Sequence, residues 1–206
     1  MDIERRKMNI KTTLSATEVR NNFFEILDKV EQTNVPYTIT RAGKPKAVIM
    51  NAEEYESWTE TLDIMSNPET VKNIEESKKE LERGEYVTFE EAFGMTPGQV
   101  LADKGKKKYR VKPKKKWGLM YRISIPKKVE KRIKRIPKEY LARIRSTIAG
   151  LAFNPFIGKK LEGRYKNDYS IRVWPYRIIY SIKKKELIIE VLELTQRGGA
   201  YKNPPR

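Results

Sequence analysis

The chain reverses the sign of its charge near Gly94, which limits how it can be folded as one body. Residues 1–94 carry 13 Lys and Arg against 19 Asp and Glu, a net of −6, whereas residues 95–206 carry 31 against 8, a net of +23. A single domain with an uneven surface is the simpler reading, but the punctuation between the halves argues against it. At 206 residues the chain has room for two small domains, each with a modest core. A strongly basic half suits a phosphate backbone, and an acidic half beside it can compete for the same surface. The expectation is an RNA-directed domain joined to its own restraint.

Composition removes several chemistries. There is no cysteine and no histidine, so disulfides, thiolate metal sites and imidazole acid–base pairs are excluded. No metal and no cofactor is expected. Any nuclease chemistry must use Arg, Lys, Tyr or carboxylates. No apolar run approaches the roughly 18 residues needed to span a bilayer, and the charged opening Met1–Lys7 lacks a signal peptide's apolar core. No membrane partner is expected, and the expected location is cytoplasmic.

In the first half, Asn9–Leu14 is predicted as a strand. Ser15-Ala16-Thr17-Glu18 has the spacing of a capping box. The helix after it aligns Val19, Phe23, Ile26, Leu27 and Val30. Pro36–Arg41 and Lys46–Met50 form two strands around Ala42-Gly43-Lys44-Pro45, a hairpin signal. Asn51 caps a further helix, giving the order β-α-β-β-α. Asn67-Pro68 restarts the chain as an N-cap followed by Pro at the first helical position. Residues 67–91 hold 8 acidic and 4 basic residues and few apolar ones, so this stretch is expected to order only against a partner. Gly84 ends its helix, and Thr88-Phe89-Glu90-Glu91 offers another capping box.

These residues resemble the Phd/YefM family of antitoxins: Ser15–Asn22, Ile39-Thr40-Arg41-Ala42-Gly43-Lys44-Pro45, Ala47-Val48 and Glu53-Glu54-Tyr55, in order over about 8–94. The resemblance implies a homodimer that binds operator DNA through its N-terminal module, with a C-terminal arm that wraps and inhibits a toxin. By motif position, Arg20 and Arg41 are the expected DNA contacts, with Lys44 a weaker candidate. Because one module is acidic, specific binding would need the arginines of two copies on one face.

Met95–Lys116 contains Thr96-Pro97-Gly98 and packs nine Lys and Arg between Lys104 and Lys116. It is predicted as a self-repelling flexible linker. Beyond it, Tyr121–Ile125 is predicted as a strand. Pro126 and Pro137 open two helices, the second with Leu141, Ile144, Ile148 and Leu151 inward. Tyr169–Val173, Tyr176–Ile182 and Leu187–Leu194 are three strands of an antiparallel meander. The order β-α-α-β-β-β gives a small α+β domain with helices on one face of a sheet. Arg172, Arg177, Arg197 and Tyr201 are left for the other face or its rim. Such a set suits RNA cleavage by internal 2′-hydroxyl attack: guanidinium groups neutralise the phosphate and a phenol stacks or shuttles a proton.

Asn154-Pro155, Gly158–Gly163, Tyr169–Val173, Tyr176–Tyr180 and Arg197-Gly198-Gly199-Ala200-Tyr201 resemble the RelE toxin family over about 120–206. That implies a metal-independent endoribonuclease acting on mRNA in the ribosome. Arg177 and Arg197 would hold the phosphate, Arg172 would add charge or a proton donor, and Tyr201 would act at the cleavage site. Lys159, Lys160 and Arg164 are the expected RNA contacts. Two positions depart from the family pattern: Ser170 stands where some members have lysine, and Gln196 where a histidine often precedes the last arginine. Glu162 stands in a place that is often basic.

The expected organisation is α+β throughout: a DNA-binding and dimerisation module at 1–66, a neutralising arm at 67–94, a linker at 95–119 and a RelE-like domain at 120–206. The acidic stretch at about 62–94 is expected to cover the basic toxin surface, in the same chain or a dimer mate. The alternative is a non-enzymatic DNA-binding repressor whose second half has decayed into an interaction platform.

Overall fold

The computed structural model describes residues 12–103 and 120–196, which fall into two compact units, Met1–Thr59 and Glu60–Arg206. In the first unit, β1 (Thr13–Ser15) runs into the predicted capping box. Ser15 Oγ accepts from the Glu18 amide at 3.2 Å, and the Ser15 amide donates to Glu18 Oε2 at 2.7 Å. The single helix expected here is two, α1 (Ala16–Asn21) and α2 (Phe23–Thr33). The break lies at Asn22, whose side chain donates to the Glu18 carbonyl at 3.1 Å and so competes with the helix ladder.

The strands β2 (Tyr37–Arg41) and β3 (Lys44–Ile49) form the predicted hairpin. The sheet order is β1-β2-β3, parallel then antiparallel. The register slips between Ile39 and Thr40, near Pro45, whose missing N–H is tolerated on an edge strand or at a bulge. Among the described residues, Val19, Ile26 and Val30 form the buried core of this unit, with Leu14, Tyr37, Ile39 and Ile49 packed against them. The next helix, α3 (Ala52–Met65), starts where Asn51 Oδ1 accepts from the Glu53 amide at 2.8 Å. The boundary between units falls inside α3.

In the second unit, α4 (Pro68–Glu82) is capped by Asn67 Oδ1, which accepts from the amides of Glu69 and Thr70 at 3.0 and 3.2 Å. Gly84, at φ +71°, turns the chain into a strand absent from the sequence reading, β4 (Tyr86–Thr88). The Thr88 capping box then opens α5 (Phe89–Phe93), and α6 (Pro97–Asp103) follows. The expected linker therefore begins with a helix; its remainder, residues 104–119, lies outside the described residues.

The rest is β5 (Arg122–Pro126), α7 (Lys127–Ile133), α8 (Lys138–Leu151), a two-residue β6 (Lys159–Lys160), and β7 (Asp168–Val173), β8 (Tyr176–Lys183) and β9 (Ile188–Gln196). The meander β7-β8-β9 is antiparallel as predicted, and β5 adds parallel to β9. The full sheet is β4-β5-β9-β8-β7-β6. The acidic segment thus donates its outer strand, pairing Val87 with Ile125.

Side-chain alternation gives this sheet two apolar faces. Ile178 and Tyr180 join the larger cluster with Val129, Ile144 and Ile148 of α7 and α8. Ile179, between them, joins Ile64, Ile74, Leu161, Tyr165 and Leu192 on the opposite face. Residues of α3 and α4 therefore cover the face that α7 and α8 leave bare. Val87, Phe89, Phe93 and Val100 carry the same segment round to the larger cluster. The stretch that lacked apolar residues for a core of its own is ordered by those of the domain it wraps.

Ile74 is fully buried at the centre of the smaller cluster. We expect Ile74→Ala to cost about 2–5 kcal/mol, seen as a lower urea midpoint for unfolding of the second unit. A change below about 0.5 kcal/mol, the size of an ordinary surface substitution, would contradict this packing.

Candidate functional site

The centre of the site is a buried carboxylate among cations. Strands β7 and β8 pair Arg172 directly with Arg177 next to their connecting turn. Ser170 and Arg172, two apart on β7, share the sheet face that carries Arg177 and Ile179. Glu60, from α3, enters this face. Its Oε1 accepts from Ser170 Oγ at 2.6 Å and lies 2.8 Å from Arg177 Nε. Its Oε2 accepts from Arg172 Nε at 3.1 Å and Nη2 at 2.5 Å. The Arg177 Nε contact is one of charge, because that N–H is not aligned on an acceptor. One turn on, Asp63 Oδ2 accepts from Arg177 Nη2 at 2.5 Å. Positions three apart on a helix face the same way, so both carboxylates reach one guanidinium.

Burial separates the two arginines. Arg177 is 4% exposed and Glu60 2%, while the Arg172 side chain remains 58% exposed. Burial acts to raise the Glu60 carboxyl. The hydrogen bonds from Ser170 and Arg172 and the nearby guanidinium charges more than offset it, and the group lies below its ordinary value.

A second ring of contacts holds the acidic segment in place. Glu75 Oε1 takes Arg164 at 2.9 Å, and Asp168 Oδ2 takes Lys78 at 2.8 Å. Glu76 pairs with Lys128 Nζ, and Glu80 Oε2 accepts from the Lys128 amide at 2.9 Å. Thr61 Oγ1 accepts from the Glu162 amide at 2.9 Å. Glu162 thus engages through its backbone, whatever its side-chain charge. Gly158 is needed where it stands: a Cβ there would lie 2.5 Å from the Tyr180 hydroxyl. That phenol accepts from the Gly158 amide at 3.1 Å and donates to the Pro155 carbonyl at 2.8 Å.

Of the residues singled out in the sequence, Arg172, Arg177 and Arg164 are each held by a carboxylate of the acidic segment. Lys159 pairs in register with Ser170, and Lys160 is exposed beside it. Arg197 and Tyr201 lie outside the described residues. In the first unit, Arg41 and Lys44 face each other across the hairpin turn. Arg20 is exposed in the last turn of α1, which packs against β2. The sequence reading singled out neither Glu60 nor Asp63: the covering arm, read at about 62–94, takes in Asp63, and Glu60 falls just outside it in the N-terminal module. Their i,i+3 spacing beside buried Thr61 and Ile64 was the available signal.

Comparison with known proteins assigns each half. The family described as antitoxin Phd_YefM of type II toxin–antitoxin systems matches residues 11–84, and the ParE toxin family of such systems matches residues 123–201. Antitoxin YefM of Streptomyces coelicolor is 32% identical over 73 residues, covering 35% of this chain and 83% of that protein. A protein named as toxin RelE1 from Methanocaldococcus jannaschii is 30% identical over 90 residues, covering 42% of this chain and all of that protein (100%). The archaeal RelE–RelB complex from Pyrococcus horikoshii matches at 32% identity and a TM-score of 0.36, over 40% of this chain and 100% of that one.

Two components of a type II toxin–antitoxin pair are therefore joined in one polypeptide. The chain belongs to the Phd/YefM antitoxin family in its first part and to the ParE/RelE toxin family in its second. Among the described residues, no helix is long and apolar enough to cross a membrane.

A lowered folded value means that the Glu60 seat stabilises the fold at neutral pH and loses that contribution as pH falls through the folded value. We expect a carbon-detected NMR titration of the Glu60 carboxyl in the full chain to give a midpoint below 4.5. A midpoint at or above 4.5 would contradict the seat as described.

Proposed function

We propose that the second half is a metal-independent endoribonuclease acting on mRNA in the ribosome, and that the first half holds it inactive in the same chain. The observation that carries this reading is Glu60 gripped by Ser170, Arg172 and Arg177. Guanidinium groups that hold a carboxylate this way suit a phosphate equally well. The carboxylate stands where a scissile phosphate would be neutralised as its charge grows during 2′-hydroxyl attack. Arg177 and Arg197 would stabilise that charge, Arg172 would add charge or donate a proton, and Tyr201 would orient the reacting groups. Lys159, Lys160 and Arg164 would guide the strand. Arg164, about half exposed, would exchange Glu75 for the strand.

The first unit we assign to operator DNA. Arg20, Arg41 and Lys44 are exposed and would contact phosphates or base edges. Its core of three buried residues leaves Phe24 80% and Val48 58% exposed. Surface of that kind favours a second copy of the chain as partner, which would also double the arginines available to DNA.

The second reading, a repressor with an inactive toxin half, draws support from Ser170 and Gln196 in place of the basic residues some relatives carry. Induced expression of residues 120–206 separates the two, with primer extension across a translated message. We expect codon-phased cuts, reduced at least about 100-fold by Arg177→Ala, on the scale of losing one charge-stabilising donor. The intact chain should cut at background level, and Glu60→Ala with Asp63→Ala should raise it. No cuts from the fragment would favour the repressor.

For DNA, the combined Arg20→Ala and Arg41→Ala variant should lose retardation of the promoter fragment upstream of its own gene while keeping its oligomeric state. Unchanged retardation would remove these residues from the interface.

A further inference from the structure

A second cationic site lies toward the β8–β9 turn of the toxin sheet, where the acidic segment comes no nearer than Lys78, paired with Asp168 beside it. Arg177 pairs with Arg172 by the β7–β8 turn, whereas Lys183 pairs with Ile188 by the β8–β9 turn. They are six positions apart on β8, about 20 Å of extended chain. At this end Lys160, Lys166, Lys183, Lys184, Lys185 and Glu186 line an open pocket of about 510 Å³. That volume lies within the range of about 300–1,000 Å³ usual for ligand sites, but such sites are mostly apolar. Here half of the lining residues are lysines, beside Asn167, Tyr169, Ser181, Ile182 and Glu186.

Neutralisation within the pocket is sparse. Lys183 lies 3.6 Å from Glu190, and Lys184 lies 5.1 Å from the centre of the Phe156 ring. No carboxylate pairs with Lys160, Lys166 or Lys185 among the described residues. The contrast with the arginine face is direct, since Arg164, Arg172 and Arg177 each meet a carboxylate there. Cations gathered in a concave, polar pocket repel one another until an anion of matching multiplicity enters. Lysine offers phosphate a point charge with three rotatable donors and needs no fixed fork geometry. Tyr169, on the pocket wall and stacked on Tyr180 at 5.6 Å, adds an aromatic surface.

We propose that this pocket binds a chain of phosphates, and does so while Glu60 and Asp63 occupy the arginine site. The phosphates come either from consecutive nucleotides of an RNA strand or from a free polyphosphate. The intact chain then holds a phosphate polymer without cutting it, and Lys160 is the one residue the pocket shares with the strand path proposed for the arginine site. This site does not depend on the second half being a nuclease.

The test uses the full-length chain, a fluorescein-labelled 12-nucleotide single-stranded RNA and inorganic tripolyphosphate. RNA affinity is measured by anisotropy across a salt series, and tripolyphosphate binding by calorimetry. The variant is Lys166→Ala/Lys184→Ala/Lys185→Ala. A charge-matched control, Lys131→Ala/Arg135→Ala/Lys138→Ala, alters exposed positions outside the pocket. Each phosphate contact on a single strand contributes about −0.7 to the slope of log affinity against log salt, so the pocket variant should flatten the slope by about 2. It should also weaken tripolyphosphate binding by about tenfold or more, with the control unchanged on both counts.

A flattened RNA slope without tripolyphosphate binding supports the pocket and assigns it to an RNA strand. Lost tripolyphosphate binding with an unchanged RNA slope supports it and assigns it to free polyphosphate. No effect on either ligand, or an equal effect from the control, overturns the proposal. Neither variant touches Arg172, Arg177, Glu60 or Asp63, so cleavage by the released toxin half reports separately on the nuclease.

Discussion

The second unit depends on how a buried guanidinium is neutralised. Removing an arginine from water costs several kcal/mol even after relaxation, and a single partner rarely leaves a surplus. Arg177 is met by two carboxylates, and Glu60 in turn by two arginines and a hydroxyl. Such a cluster adds little net stability over an apolar filling of the same volume. Breaking it by removing one member costs about 3–5 kcal/mol, because the remaining charge is stranded. The cluster therefore fixes where α3 sits more than how tightly it is held. Tightness comes from Ile64, Ile74, Leu161, Ile179 and Leu192, each contributing about 1.5–3 kcal/mol when fully buried.

The same segment solves a problem of the sheet itself. Without β4, strand β5 would present an open row of backbone donors and acceptors, an invitation to pair with another chain. Pairing Tyr86–Thr88 with Ser124–Pro126 closes that edge. Phe89 and Val100 then complete the larger core from the far side. Covering of the arginines and folding of the second unit thus draw on the same contacts. The residues that fill the arginine site also bury apolar surface that the toxin half would otherwise expose. Restraint of this kind cannot be lifted by altering one ion pair alone.

Much of this was legible in local sequence, and the failures share a cause. The capping boxes at Ser15 and Thr88, the Asn67-Pro68 start and the three-stranded meander each depend on neighbours a few residues apart, and each formed. Strand β4 has three residues, and its partner lies almost forty positions on, so nothing local marked it. Helix α6 is different, because its signal was present. Thr96 Oγ1 accepts from the Gln99 amide at 3.2 Å and the Thr96 amide donates to Gln99 Oε1 at 2.8 Å, a capping box with Pro97 at the first helical position. Read beside nine basic residues, Thr96-Pro97-Gly98 looked like punctuation. The arginines of β7 and β8 were found by their charge. The carboxylate between them was missed because Glu60 sits in a helix whose first turns belong to the other unit.

Ser170 shows how a departure from a family pattern can carry meaning of its own. At 2% exposure, a lysine there would bring a third cation into the space that Glu60 now fills. The serine hydroxyl instead donates to Glu60 at 2.6 Å and leaves room for the carboxylate. Covalent joining changes what such a seat must achieve. In separate proteins, dilution alone drives the pair apart, and affinity must resist it. In one chain the rebinding step is unimolecular, and short flexible tethers give effective concentrations of about a millimolar. Dilution then has no hold on the complex. Opening then competes with rapid unimolecular reclosing, so weakening the arm's contacts, cutting the chain between the arm and β5, or losing the arm's fold would each favour the open state. The geometry of the Glu60 seat therefore fixes which carboxylate meets Arg172 and Arg177, and covalent joining sets how readily it returns.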